Sequence, residues 1–185
     1  MSSSQKGFTL IEMILVIVAV GIIGSMAATM LFQGADIFVK ETNRQGFVSE
    51  ARSAFWRLMR ETQGQSSSAD FILSDQNSLY VKNGKGDLKD FQTSSPDDFN
   101  FRLGTGSYNS LSNSLGYTQS NGFTFYNNSF NVVSPSSGGL TETQAKTVHL
   151  SKLDLTFIND MDTLSLSSFV YPHNFRFGSK MSYHD

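Results

Sequence analysis

The sequence predicts an α+β protein in which a long N-terminal α-helix packs against a small antiparallel β-sheet head. Three features of the 185-residue chain lead to this fold class. An apolar block comes first, an amphipathic segment with helical periodicity follows, and the remainder is rich in short strand-like runs and turn residues. We therefore divide the chain into residues 1–7, 8–32, 33–64 and 65–185.

The apolar block spans residues 8–32, and nineteen of its 25 residues are apolar. As an α-helix of about 37 Å it can cross a hydrocarbon core of about 30 Å. Its hydrophobicity runs all round, unlike that of a one-faced surface helix. A cleavable secretory signal is the alternative, but such signals have apolar regions of about 7–15 residues and a more basic start. We predict a retained membrane anchor.

The amphipathic segment continues the helix to about Thr62, and Gly64 predicts its end. Its apolar residues recur at steps of three, four or their sums, which places them on one side of a helix. Opposite charges at helical-neighbour spacing, such as Arg57 with Glu61, are expected to support it. We expect the apolar stripe to lie under the head as core. Its members are Ile37, Phe38, Phe47, Val48, Ala51, Phe55, Leu58 and Met59.

The head, residues 65–185, is predicted to be β-rich. Eleven of the sixteen phenylalanines lie in it, enough for one small core. Asn83 and Gly84 form a strong turn signal. Three pairs of β-prone runs are separated by turn residues. They are residues 70–73 with 78–82, 122–126 with 130–133, and 147–158 with 163–171.

Two details of the head follow from its patterning. The parity of the apolar positions changes along the last pair, which predicts a β-bulge near Ser151 or Lys152. Residues 92–121 and 134–146 are rich in polar and turn-forming residues, so both are expected to be long loops.

Composition excludes several kinds of chemistry. The chain has no cysteine, so it has no disulfide, thiolate metal site or cysteine nucleophile. Its net charge is -2, and residues 65–185 hold eight basic and eleven acidic residues. Because nucleic-acid binding rests on basic surfaces, we expect no nucleic-acid partner.

No catalytic residue, cofactor or metal site is predicted. His149, His173 and His184 are far apart in sequence and lack ligand partners at useful spacing. Residues 159–162 offer alternating oxygen ligands, but they lack the glycine and distal glutamate of an EF-hand, so a solvated turn is favoured. Nucleophile-elbow, P-loop and dinucleotide-binding motifs are also missing. The chain is therefore not expected to be an enzyme.

One carboxylate, Glu12, lies inside the apolar block. A charge near the bilayer centre costs about 2.5 kcal/mol or more, so such a residue suggests a function unless it is solvated at the interface. Residues 6–12 read Lys-Gly-Phe-Thr-Leu-Ile-Glu, and about twenty mostly apolar residues follow. This segment resembles the processing signature of type IV prepilins and type II secretion pseudopilins.

The resemblance implies roles for three residues. A prepilin peptidase would cut after Gly7 and remove residues 1–7 as a leader, and the new amino group of Phe8 would be methylated. Glu12 would then pair with the amino terminus of a neighbouring subunit during assembly. The chemistry is consistent, because Gly7 has no Cβ to obstruct a protease cleft. Many major pilins have proline where this chain has Thr29.

The resemblance also implies a structural subunit of a type IV pilus-like filament. We favour a minor pilin, because the chain lacks the cysteines that often close a C-terminal loop in major pilins. A pseudopilin of a type II secretion system, or a membrane protein that never polymerises, stays open.

Expected partners are other pilin subunits, the prepilin peptidase, an inner-membrane assembly platform and, before assembly, membrane lipid. The expected location is the inner membrane of a Gram-negative bacterium with the head in the periplasm, and later an extracellular or periplasmic filament.

Overall fold

The computed structural model describes residues 7–94, 98–116, 122–159 and 162–173. The chain divides into two compact units, one ending at Gln45 and the other beginning at Gly46. Helix α1, Leu10–Gln63, is continuous across this division. The predicted single helix with an end near Thr62 is confirmed, and Gly64 follows it in a turn.

In the second unit, one face of α1 packs into the core. Its buried residues recur at helical spacing, as predicted for an amphipathic stripe. Ile37 and Phe38, which the predicted stripe included, belong to the first unit and are 66% and 72% exposed, so their assignment to the core is wrong. The buried residues of α1 are Phe47, Ala51, Ala54, Phe55, Leu58 and Thr62.

The first sheet of the second unit has four antiparallel strands in sequence order. The predicted run Ser78–Lys82 and the turn after it are confirmed. The four strands are β1 (Ser78–Lys82), β2 (Leu88–Ser94), β3 (Asp98–Leu103) and β4 (Asn109–Ser112).

The predicted long loop at residues 92–121 is wrong, because it contains β3 and β4. Phe99 and Phe101 alternate with polar residues in β3 and are buried. Their rings lie 6.0 and 5.1 Å from that of Phe91 on β2, measured between centroids. The serine, asparagine and glycine residues around this short alternation made the stretch resemble a loop, although it contains strands.

The second sheet has the strand order β6-β5-β7-β8 and is antiparallel throughout. Both hairpins predicted for it, β5 with β6 and β7 with β8, are confirmed; residues 160 and 161 of the last turn lie outside the described residues. Its strands are β5 (Gly122–Tyr126), β6 (Val132–Val133), β7 (Leu150–Asn159) and β8 (Asp162–Val170).

The predicted bulge in β7 is wrong. Strand β7 pairs with both β5 and β8 in unbroken register. Ser151 is buried and keeps the alternation that Leu153 continues. The apparent change of parity arises because Val148 lies outside the strand, where it caps helix α2 (Glu142–Thr147), and because Leu150 is a partly buried residue whose neighbour Ser151 holds the buried position.

Two short helical elements also differ from the prediction. Residues 70–73 are not a strand, since a 3₁₀ helix occupies Ser68–Phe71 and the Ser67 side chain accepts a hydrogen bond from the backbone N–H of Ala69. Helix α2 begins inside the predicted loop 134–146 and ends one residue beyond it, and a capping box between Thr141 and Gln144 begins it. In both segments the helix cap, rather than the β-propensity of the residues, determines the secondary structure.

One core joins the second-unit part of α1 to both sheets. The Phe99 ring of the first sheet meets the Phe157 ring of the second edge to face, with centroids 6.5 Å apart. Backbone hydrogen bonds also connect the segment before β1 with β5 and with the segment before α2. Phe123 N–H donates to Gln76 O and Leu73 N–H donates to Leu140 O, each at 2.9 Å. The head is therefore held by apolar packing and backbone bonds.

Two charged side chains of α1 bind the first sheet. The Arg57 guanidinium carbon lies 3.9 Å from the centroid of the Phe101 ring, which is a cation–π contact. Glu61 forms an ion pair with Lys89, and both side chains are largely buried. Because the sheet engages both residues, the expected pair between Arg57 and Glu61 does not form.

Candidate functional site

The three residues predicted for processing and assembly lie at the start of the described chain. Gly7 and Phe8 are non-helical and exposed, and Phe8 is 79% exposed. A Cβ added at Gly7 would have open space around it. The peptide bond between Gly7 and Phe8 thus lies in exposed, non-helical chain just ahead of a helix, where a protease can reach it.

Glu12 lies in the first turn of α1 and caps its own helix. Its Oε2 accepts hydrogen bonds from the backbone N–H and the hydroxyl of Thr9, each at 3.4 Å. The Thr9 carbonyl in turn accepts from Glu12 N–H at 3.1 Å and Met13 N–H at 3.2 Å. Thr9 is the N-cap, and Glu12 supplies the carboxylate half of a capping box.

This geometry leaves the Glu12 carboxylate available to a stronger partner. Distances of 3.4 Å lie beyond the usual range for a good hydrogen bond, so the cap holds the carboxylate weakly. A carboxylate in the first turn also offsets the positive end of the helix dipole. An ammonium group close to this position would bind Glu12 by a charge-assisted bond, which is about twice as strong as a neutral one.

Thr9 is a site residue that the sequence reasoning missed. The signal was present in the spacing, because Thr9 and Glu12 follow the pattern of a threonine three residues before a glutamate at a helix start. Within the apolar block Thr9 counts only as one of the six residues that are not apolar.

The head contains a polar cluster on the first sheet that is only partly buried, since Tyr108 is 38% exposed. Asp90 is fully buried and accepts hydrogen bonds on Oδ2 from Arg102 Nη2 at 2.5 Å and from the Tyr108 hydroxyl. The Arg102 guanidinium also lies 4.4 Å from the centroid of the Tyr108 ring. Asp90 and Arg102 are directly opposite each other on β2 and β3.

Burial and charge perturb the ionisation of this cluster. Burial, followed by the hydrogen bond to Asp90, raises the pKa of Tyr108. Burial also raises the pKa of Tyr80, and the charge of Asp90 adds to the effect. For Arg102 burial lowers the pKa, but the bond to Asp90 and its charge outweigh this and raise it. The cluster keeps neutral tyrosines around one ion pair, which suits a structural role.

The histidines do not form a site in the described part of the chain. His149 Nε2 lies 2.8 Å from the Tyr171 hydroxyl, and His173 is exposed. His184 lies outside the described residues. Within those residues no group of three or more histidines, aspartates and glutamates could hold a metal.

Comparison with known proteins gives a family match for the N-terminal segment. Residues 2–28 match the family described as the prokaryotic N-terminal methylation motif. This motif is the hallmark of type IV pilins and pseudopilins, so the resemblance of the segment to them is confirmed. No curated protein and no solved structure matches the chain.

The motif supports a type IV pilin-like or pseudopilin protein, and it covers the N-terminal segment only. In the described part of the chain, α1 is long and apolar enough to cross a membrane, which is compatible with membrane anchoring.

Proposed function

We propose that this chain is a structural subunit, and specifically a minor pilin, of a type IV pilus-like filament. The observation that carries the proposal is the methylation motif on an exposed segment that leads directly into a capped apolar helix. The protein is thus a substrate of a processing enzyme and not an enzyme itself.

Processing would begin on a precursor anchored in the inner membrane. Prepilin peptidase cleaves the exposed bond between Gly7 and Phe8, which frees an ammonium group two residues before α1. The Phe8 amine is methylated. The new cation lies beside the positive end of the helix, where it is electrostatically unfavourable without a carboxylate. Glu12 is the acidic residue in that first turn.

Assembly would transfer the apolar surface from lipid to other helices. In the free subunit, the weak bonds from Thr9 hold Glu12. In the filament, Glu12 pairs with the amino terminus of a neighbouring subunit, and the pair fixes the axial register of the helices. The head, residues 65–185, is exposed on the periplasmic or outer side of a Gram-negative cell. The inner-membrane assembly platform drives the transfer.

A type II secretion pseudopilin is the alternative, since it shares the same motif. The location of the mature protein separates the two. A minor pilin is recovered in filaments sheared from the cell surface, whereas a pseudopilin stays with the cell envelope. Genes for a secretin and a secretion ATPase beside this gene would favour the pseudopilin.

The N-terminus of the mature protein tests the proposal. Mass spectrometry of the protein purified from membranes and from sheared filaments should find a methylated Phe8 as the first residue. An intact Met1 in both fractions would refute membership of any prepilin-derived filament.

A further inference from the structure

The two sheets have four edge strands, and three of these are short or covered. Strand β4 has four residues and β6 has two. The segment before β1 covers the outer edge of that strand, since Ser66 N–H donates to Lys82 O at 2.8 Å and Tyr80 N–H donates to Ser74 Oγ at 2.9 Å. Strand β8 has nine residues, and no described segment pairs with its outer edge. Among the described strands it is the long edge that is left open.

Strand β8 lacks the features that usually keep an edge strand from pairing. Such edges are very short, or they carry lysine, proline or a bulge. Apart from Asp162 at its first position, β8 has no charged residue and no proline. It pairs with β7 in unbroken register, so no bulge turns it away. The backbone along its outer edge is therefore a template for another strand.

The apolar core is also incompletely covered on the β8 side. On β7, Leu153, Leu155 and Phe157 are fully buried. The inner-face leucines of β8, Leu164 and Leu166, pack against the same core but are only partly buried. A further strand with an apolar residue at every second position would cover them and pair with the open backbone edge.

The chain has such a sequence shortly after β8. Residues 174–185, which lie outside the described residues, read NFRFGSKMSYHD. From position 175 to position 183 every second residue is apolar except Ser179, and none of the residues between them is apolar. Alternation of this kind is typical of a strand with one buried face. The apolar residues are Phe175, Phe177, Met181 and Tyr183.

The spacing between β8 and this segment suits a hairpin. Residues 171–174 would form a four-residue loop that includes a proline and an asparagine, which favour turns. Such a loop would place Phe175 opposite Val170, on the inner face of the strand. The same register would place Met181 opposite Leu164. A register shifted by one residue would turn the apolar residues of the segment to solvent.

The other face of the segment suits an outermost strand. In this register Arg176 lies opposite Phe169, which is 60% exposed, and Lys180 lies opposite Ser165. The long side chain of Arg176 would cover part of the Phe169 ring. Cationic residues on the last strand of a sheet discourage the addition of another strand. The segment would therefore close the edge that β8 leaves open.

We propose that residues 175–183 bind the outer edge of β8 as a further antiparallel strand of the second sheet, within the same chain. The short connection favours the same chain over a second copy, because it gives the segment a high effective concentration at the edge. The segment completes the core over Leu164 and Leu166. The inference goes beyond the proposed function and does not depend on it, because it concerns the head alone.

Hydrogen exchange of the full chain in detergent micelles tests the pairing. Successive amides of a strand point to opposite sides, so β7 protects only about half of the amides of β8 and the added strand protects the others. In the wild type, amides on both sides of Asp162–Val170 should therefore be protected. In the double variant Phe175→Ser with Phe177→Ser, about half of them should exchange about tenfold faster or more.

The double variant Arg176→Ser with Lys180→Ser is the matched control. It also changes two residues of the segment to serine, but both lie on the proposed solvent face. The amides of β8 should stay protected in this variant, because the apolar contacts with the inner face are kept.

An engineered disulfide tests which chain supplies the strand, since the natural sequence has no cysteine. Ser165→Cys with Lys180→Cys places cysteines on directly opposite residues, about 5 Å apart between Cα atoms, which a disulfide can span. Mild oxidation should link them within one chain. Ser165→Cys with Ser179→Cys is the control and should oxidise more slowly, because adjacent strand residues point to opposite faces.

Four results would overturn the proposal. Protection of only one side of β8 in the wild type would mean that its edge is open. Equal loss of protection in both double variants would mean that the apolar face of the segment does not hold it. A disulfide between two chains would assign the edge to a second copy, and equal oxidation at positions 179 and 180 would exclude the proposed register.

Discussion

At the scale of single residues, Glu12 contacts Thr9 in its own chain and would gain a second partner in the proposed filament. Thr9 binds it through two long hydrogen bonds, which satisfy donors at the start of α1. A neighbour's ammonium is the stronger partner. The same carboxylate therefore has a capping role and a proposed assembly role, and substitutions can separate the two.

Glu12→Ala should leave membrane insertion intact but reduce incorporation into filaments strongly. Insertion depends on the apolar block, whereas an unpaired ammonium buried in a helical bundle costs about 3–5 kcal/mol. A pull-down of tagged subunits with sheared filaments measures the loss.

Thr9→Ala is the control for capping, because it removes the hydroxyl contact but keeps the Glu12 charge. The variant keeps the bond from the backbone N–H of residue 9 to Glu12, so it should assemble much better than Glu12→Ala. Equal incorporation of both variants would mean that the charge of Glu12 is not needed for assembly.

Asp90→Ala should destabilise the head by about 1–3 kcal/mol, because it removes the buried carboxylate that accepts hydrogen bonds from Arg102 and Tyr108. Denaturant unfolding of the full chain in detergent, followed by tryptophan fluorescence, measures the free energy. Asp154→Ala is the matched control, since Asp154 pairs with Lys152 at a more exposed position. Such a pair contributes about 1 kcal/mol or less, and similar losses from both variants would contradict a special role of the Asp90 cluster.

Tyr108 should make the head sensitive to alkali. Its pKa is raised in the folded protein by burial and by the bond to Asp90, whereas an unfolded tyrosine titrates near pH 10. The stabilisation is fully present below about pH 10 and is lost above it, because the unfolded chain releases its proton first. Unfolding measured between about pH 9 and pH 11 should show a shallower decline for Tyr108→Phe than for the wild type. A residual decline is expected from Tyr80, whose pKa is also raised.

At the scale of elements, two glycines allow the segment before β1 to approach the backbone of β5 and of the segment before α2 closely. A Cβ on Gly122 would lie 1.8 Å from Gln76 O, and one on Gly139, where φ is +90°, would lie 2.3 Å from Leu73 O. These are the positions next to the backbone bonds of Phe123 and Leu140. Close approach, rather than flexibility, is the reason for glycine at both.

Gly139→Ala should therefore destabilise the head, whereas Gly46→Ala should stabilise α1 by about 0.5–1 kcal/mol, because alanine is a better helix former. Gly46 lies inside the helix with open space around it, so the added methyl group meets nothing. Thermal unfolding of the two variants measures the opposite shifts. Stabilisation by Gly139→Ala would show that the crossing at Leu73 relaxes freely.

The sequence predicts elements well where the periodic pattern is long. Helix α1 and the β7–β8 hairpin were predicted because their apolar positions repeat over many residues. Strands β3 and β4 were not, since only Phe99 and Phe101 mark the first of them within a polar stretch. The 3₁₀ helix at Ser68–Phe71 depends on one serine cap, and no periodicity reveals a cap.

At the scale of the whole molecule, the N-terminal methylation motif was predictable because its residues are contiguous in sequence. Gly7, Phe8 and Glu12 lie within six residues, and the methylation motif spans them. The Asp90 cluster was not predictable, because Arg102 and Tyr108 reach Asp90 only through the pairing of β2 with β3. A local signature therefore identifies the methylation motif, whereas the contacts of the Asp90 cluster can be seen only in the folded chain.

Processing should control every later step, so blocking it at Gly7 should trap the precursor. Gly7→Val adds a branched side chain where the bare backbone is proposed to enter the peptidase cleft, and cleavage should stop. The variant should keep its leader, remain in the membrane and be missing from sheared filaments, which immunoblotting and intact mass measure. Gly34→Ala, an exposed glycine inside α1 with open space around it, is the control and should mature normally. Because the leader holds the Phe8 nitrogen in a neutral amide, the uncleaved subunit has no ammonium to offer Glu12 of a neighbour. Normal assembly of an uncleaved Gly7→Val protein would therefore contradict both the processing step and the pairing that depends on it.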